Sequence, residues 1–312
     1  MTVARHHVPG PVHRLWTPDH EPVLEVSDGE VIEFDAQECA AGQLDDFRNG
    51  QEVPALDYDL LYPLVGPVLV AGAEPGDAVE LEVLEYRSGS WGWTSVLEDF
   101  GLLTEDFPDL HLHRWELGER TADFQGVATV PLRPFLGVMG ATPDTAEPLS
   151  PFPPGTFGGN IDTRDITAGS SILLPVQVPG ARIMVGDPHA AQGDGEVCGA
   201  AIEASLSGAL RVTLHKGLTL PAPQFRTPGP LRAGIEDQGY YATMGVGPDL
   251  MRASQDAVRA MIEHLGRTYG IEPVDAYVLA SVVVDLKISE VVDQPNWVVS
   301  AYLPLSVMRA GA

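Results

Sequence analysis

The sequence predicts a mainly β protein: two β-rich halves of sandwich or barrel type, with a smaller helical α+β addition near the C-terminus. Three observations carry this expectation. Several short segments alternate strictly between apolar and polar residues, other apolar runs are punctuated by Gly and Pro, and helical spacing is confined mainly to the region after residue 247. The 312 residues suit two domains or one large β-rich unit. The expected division is residues 1–145 for the first half and 146–312 for the second.

Taken in order, "EPVLEVSDGEVIEF" (21–34) reads as two short strands around the turn Ser27-Asp28-Gly29. "AVELEVLEY" (78–86) puts Val79, Leu81 and Val83 on one face and Glu80 and Glu82 on the other, the pattern of a half-buried strand. Residues 142–160, "TPDTAEPLSPFPPGTFGGN", have no periodicity and read as a long ordered loop, a feature that often carries function. "SSILLPVQVPGARIMVGD" (170–187) is two apolar runs broken at Pro179-Gly180, expected to form a buried hairpin, and 208–225 is expected to form another strand pair. In "GPDLMRASQDAVRAMIEHLGRTYG" (247–270), apolar and small residues recur every three or four positions. Asp249 stands at its start and Gly270 at its end, so a helix is expected over about 249–268. Residues 273–289 fit either a second helix or a strand, and "NWVVSAYLPLSV" reads as a strand.

The composition removes some classes of function. Formal charge is −26, and of the 18 basic residues only Lys216 and Lys287 are lysines, a balance that repels phosphate backbones and argues against nucleic acid. No window approaches the roughly 18 consecutive apolar residues of a membrane span. The N-terminal "MTVARHHVPGPVHRLW" lacks a secretory apolar stretch. Two cysteines, Cys39 and Cys198, fit a reducing compartment, and a cytoplasmic location is the expectation. There is no G-x-S-x-G elbow, H-E-x-x-H, Walker loop or dinucleotide fingerprint.

What remains is "GDPHAAQGDGEVCGAAIE" (186–203), with Asp187, His189, Asp194, Glu196 and Glu203 among small residues. Carboxylate and imidazole are the ligands divalent metals prefer, and i,i+2 pairs on an extended chain share a face, so 187/189 and 194/196 can converge. Gly193 and Gly195 let the backbone close around that point. An acidic turn with a hydrogen-bonded histidine accounts for the same residues, and both readings stand. A second i,i+2 pair, Asn160 and Asp162, follows Gly158-Gly159 and fits a turn as well as a ligand role. His6, His7 and His13 with Trp16, and Asp45-Asp46 in "GQLDDF", read more simply as surface and turn residues. A cysteine amidase would combine Cys198 with Glu196 or Glu203 and a lysine such as Lys216.

The run "GGNIDTRDITAGSSILLPVQVPGARIMVGDPHAAQGDGEVCGAAIE" (158–203) resembles the acetamidase/formamidase family. "GPVLVAGAEPGDAVELEV" (66–83), "PLRPFLGVMGATP" (131–143) and "AYVLASVVVDLKISEVVD" (276–293) are similar to it in the same order. The resemblance implies a β-rich, metal-associated oligomer, a homodimer or homotetramer, that hydrolyses short aliphatic amides such as formamide and acetamide to carboxylate and ammonia. It implies Asp187, His189, Glu196 and Asp162 as metal ligands. The metal would be zinc, because a histidine is present, or calcium, which suits the oxygens. Glu196 or Asp194 would carry protons, Asn160 would donate to the oxyanion, and Phe157, Gly158 and Gly159 would face the substrate. Many family members carry histidine directly before Gly-Gly-Asn, and here Phe157 stands there. Phe157 and the Pro-rich loop are expected to limit the pocket to small acyl groups. A cysteine enzyme and a non-catalytic, metal-stabilised β protein are the alternatives.

Overall fold

The computed structural model describes residues 3–10, 12–229, 238–292 and 294–309. Two large sheets face each other. One has six strands in the order Arg5–His7, Val31–Ala36, Leu206–His215, Ala78–Ser88, Ser171–Pro175 and Gln224–Arg226. The other has five, in the order Gly158–Asn160, Phe135–Ala141, Ile183–His189, Leu64–Val70 and Leu24–Val26. Pairing is antiparallel except at two edges, where Arg5–His7 and Leu24–Val26 run parallel to their neighbours. Both sheets draw strands from either side of residue 145, so the two β-rich halves interleave within shared sheets.

The alternation at 78–86 does what its period requires. Val79, Leu81 and Val83 are buried, while Glu80 and Glu82 lie on the partly exposed face. They meet Ile32, Ile172 and Leu210 of their own sheet and Val65, Leu136, Met139, Ile183 and Val185 of the other, so one apolar layer fills the space between the sheets.

Several neighbour relations differ from the sequence reading. The runs in 170–187 form strands, Ser171–Pro175 and Ile183–His189, but they belong to different sheets and make no hairpin. The turn is the cause: Gly180, Ala181 and Arg182 all take left-handed backbone, with φ of 78°, 56° and 53°, and carry the chain from one sheet to the other. Likewise Gln224–Arg226 pairs with Ser171–Pro175 and not with Leu206–His215. The strands in 21–34 also divide between the two sheets.

Helix α1 (Leu250–Tyr269) starts at Asp249, whose carboxylate accepts from the Arg252 backbone N–H at 2.7 Å, and ends at left-handed Gly270. It packs on a three-stranded sheet of Tyr240–Gly247, Trp297–Pro304 and Asp285–Glu290. The ambiguous 273–289 segment is both things in turn: α2 (Pro273–Val283), followed by a strand. Every residue of α2 from Ala276 to Val283 is buried, which explains its lack of an amphipathic period. No helix among the described residues is long and apolar enough to cross a membrane.

Candidate active site

The strand Ile183–His189 delivers Asp187 and His189 to the end of the five-stranded sheet, both almost fully buried. Two groups of ligand-type atoms form there, each lying within 4.8 Å: Cys39, Asp187 and Glu203 in one, Asp162, His189 and Glu196 in the other. The His189 Nε2 joins them, 3.3 Å from an Asp187 oxygen and 3.2 Å from a Glu203 oxygen.

The neighbouring strand leaves room for this cluster. Leu136 and Val138 pair with Pro188 and Gly186, which sets Gly137 against Asp187. A Cβ at residue 137 would lie 2.5 Å from an Asp162 oxygen, 2.7 Å from an Asp187 oxygen and 2.9 Å from the His189 ring. The Gly137 carbonyl also accepts from the backbone N–H groups of Ile161 and Asp162, at 3.0 and 3.2 Å, and so holds the 161–162 turn against the site. Asp162, Asp187 and Glu196 take positive φ of 44°, 51° and 43°, conformations that non-glycine residues adopt only where their surroundings impose them.

The surroundings do so. Gly193 donates to the Ser281 carbonyl at 2.8 Å, and its Cα lies so close to Val284 that a Cβ would fall 2.0 Å from the Val284 carbonyl oxygen. The Ser281 hydroxyl accepts from Cys198 N–H and donates to the Ala200 carbonyl, and the Tyr277 hydroxyl donates to the Val197 carbonyl. Helix α2 thus clamps the loop that carries Glu196. Glu38 shapes the opposite wall: its carboxylate accepts from the N–H groups of Ala40 and Gly42 and from the Trp93 indole, fixing the turn that bears Cys39.

Gln192 determines how His189 presents itself. The Gln192 amide nitrogen donates to the Asp162 carbonyl at 2.9 Å, so its oxygen faces His189 Nδ1, also at 2.9 Å, and accepts a proton from it. In the neutral ring, the Nε2 lone pair then points at two carboxylates. Acceptors facing acceptors in a buried space require a cation or extra protons between them. Consistent with that need, Asp162 Oδ1, Asp187 Oδ1, His189 Nε2 and Glu203 Oε2 are buried without hydrogen-bond partners.

Titration follows the same logic. Burial opposes the charged imidazolium of His189, but Glu203 and Asp187 outweigh it and push its pKa well up. Burial raises Glu203. It raises Glu196 well above its usual range, reinforced by Asp162, and carries Asp162 to about 7 against the pull of His189. Burial, Glu203 and Asp187 push the Cys39 thiol well up, which makes it a poor free nucleophile; a cation at the site would reverse that disadvantage.

Other candidate residues have different partners. Asp194 pairs with Arg164 at 2.9 Å, and Arg164 also holds Asp285 at 2.7 Å. The Asn160 amide nitrogen donates to the Phe152 carbonyl in the Pro-rich loop. Phe157 packs on Trp16, Leu64, Val138 and Met184, while Gly158 and Gly159 pair with Gly140 and Met139 as strand residues. Cys198 is fully buried, its sulfur donates to the Ser95 carbonyl, and burial raises its pKa to about 12. Lys216 is held by Asp77 at 2.6 Å, so the Cys–Glu–Lys combination does not assemble around it. Of the N-terminal group, His6 and His7 lie on an edge strand and Trp16 is core.

Cys39, Glu203, Gly137 and Gln192 therefore join the site without having been assigned to it from the sequence. Only Glu203 and Gln192 had a local signal, since both lie in the 186–203 stretch. The site opens into a cavity of about 530 Å³ with Cys39 and Glu203 at its base.

The model of the Acetamidase/Formamidase family matches residues 2–150 and 145–310. A formamidase of Methylophilus methylotrophus is 25% identical, the match covering 96% of this chain and 90% of the relative. An acetamidase of Mycolicibacterium smegmatis is 27% identical over 62% of this chain and 63% of its own length. Among solved structures, a gamma lactamase from Delftia acidovorans superposes with a TM-score of 0.89 at 25% identity, covering 96% of this chain and 90% of that one.

Proposed function

The chain belongs to the acetamidase/formamidase family, and from that premise we propose that it hydrolyses primary amides, RCONH2 + H2O → RCOO⁻ + NH4⁺, with a divalent metal at the cluster. One observation carries the reading. Two adjoining groups of three ligand-type side chains, several with unpartnered buried atoms, meet where a glycine at 137 leaves space beside Asp162, Asp187 and His189. Formamidase, acetamidase and lactamase relatives share C–N amide cleavage by name.

Asp187, His189, Asp162 and Glu196, joined by Cys39 and Glu203, are the proposed ligands. A thiol and an imidazole among them favour zinc over calcium. Such an ion supplies Lewis-acid polarisation of the amide carbonyl and a lowered pKa for the attacking water. The protein's own part divides by exposure. Asp187, His189 and Glu203 are at most 3% exposed and serve as fixed anchors. Asp162 and Glu196 are partly exposed, offer oxygens within 4.8 Å of one another, and have their pKa values raised by burial. Glu196 takes the proton released by the attacking water and delivers it to the amide nitrogen, which leaves as ammonia only once protonated. Asp162 balances that charge change beside it. The assembly in solution is proposed to be a homodimer or homotetramer, as the family resemblance implies.

Ammonia release from formamide, acetamide and propionamide, before and after exhaustive chelation, tests this reading. The expected result is near-complete loss of activity with recovery on adding zinc. Full activity in protein shown metal-free by elemental analysis would exclude the metal mechanism.

A further inference from the structure

Resting on the amide-hydrolase reading above, we propose that the preferred substrates are uncharged primary amides with an extended apolar acyl chain. Formamide and acetamide would then be poor members of the substrate class. The cavity above the cluster is too large for them: about 530 Å³, within the range of sites that enclose drug-sized ligands. Its wall is apolar, including Leu44, Leu56, Trp93, Leu97, Leu112 and Phe152. The residue expected to close it, Phe157, lies in a separate packed cluster, and the Pro-rich loop contributes Phe152 as an apolar wall. A small amide at the cluster would leave most of this surface wet, whereas an alkyl or benzyl chain would cover it.

Charge sharpens the class. Among the described residues, Glu52, Glu98 and Glu203 line the cavity, and no Lys, Arg or His does. An acyl chain ending in a carboxylate would lose hydration against the apolar wall and pass the exposed Glu52 and Glu98, with no basic side chain in the lining to offset either cost. Neutral chains meet neither cost. Apolar burial shared by ground and transition states raises kcat/KM, so the preference is read from that ratio.

The test uses the wild-type protein in its native metal state. Ammonia release is measured for acetamide, butyramide, hexanamide and phenylacetamide, and for the monoamide of adipic acid. We expect kcat/KM to rise about fourfold per added methylene, about 250-fold over the four methylenes from acetamide to hexanamide. The anionic adipic monoamide should fall well below hexanamide despite its equal chain length. Ala55→Trp, at the exposed rim, should lower the hexanamide-to-acetamide ratio about tenfold. A flat or falling series with measurable acetamide turnover overturns the acyl preference and leaves the amidase reading intact. No ammonia from any of these amides overturns both.

Discussion

At the closed end of the cavity Glu203 is 3% exposed, and in the cluster beside it Asp187 and His189 are 2% and 1% exposed, with the backbone at Asp162, Asp187 and Glu196 held in left-handed conformations. At the open end, Tyr58, Phe100 and Leu110 are 67%, 44% and 42% exposed, apolar side chains facing water. The closed end is defined by electrostatic need: each group there makes sense only with a charge or proton shared among its neighbours. The open end is defined by area and sign, an apolar wall with acidic groups and no described base. The difference shows how one cavity separates its tasks. On the proposed reading, chemistry would sit where position is over-determined, and selection where a side chain can change without moving the reacting groups.

The largest effect should come from breaking the closed end with the smallest possible change. Gly137→Ala places a methyl group among Asp162, Asp187 and His189, and kcat should fall at least about a hundredfold, with bound metal falling in parallel. Elemental analysis together with far-UV circular dichroism separates this from unfolding. A Gly137→Ala variant with full metal content and wild-type turnover would show that the cluster is not the reaction site.

A smaller effect is expected one step back, at Gln192. Gln192→Leu removes the acceptor that fixes the His189 tautomer, and metal affinity should weaken about 10- to 100-fold. Competition with a chromogenic chelator measures it. Unchanged affinity would mean that His189 is oriented by the carboxylates alone.

The smallest effect tests the wall between the two ends. In the strand His111–Glu116, Leu112 lines the cavity while His113 is packed against Trp115 and Phe124. Burial lowers the His113 pKa to about 4. Between about pH 6.5 and 4 the unfolded chain therefore binds a proton that the folded one refuses, and stability falls as pH falls through that window. The loss is at most about 3 kcal/mol. Thermal unfolding at about pH 7.5 and 5 should show a smaller acid-induced drop in Tm for His113→Phe than for the wild type. Equal drops would place the titrating group elsewhere.

Much of the architecture was legible because it is written in short periods. Strand 78–88, the capped helix α1 and the buried runs at 171–175 and 183–189 are local patterns, and each became the expected element. The acid pairs were legible for the same reason, since i,i+2 spacing places 187 with 189 on any extended chain. Asp194 shows the limit of that reasoning. Its spacing from Glu196 equals that of the 187/189 pair, yet Arg164 captures it, and nothing within ten residues announces an arginine that comes from position 164.

By itself, then, the sequence determined the β character of the chain, the places where strands and helices form, and the acidic core of the site. All of these depend on side-chain periodicity over a few residues, or on long motifs that match a family. Only the tertiary structure decided which strands are neighbours, since three left-handed residues at 180–182 send the chain to another sheet instead of back on itself. It alone brought Cys39, Gly137 and Glu203 to the acids, across more than a hundred intervening residues in the case of Cys39. The physical reason is that a ligand set is selected by convergence in space. Hydrogen-bonded sheet pairing, which no local spacing encodes, is what makes these segments converge.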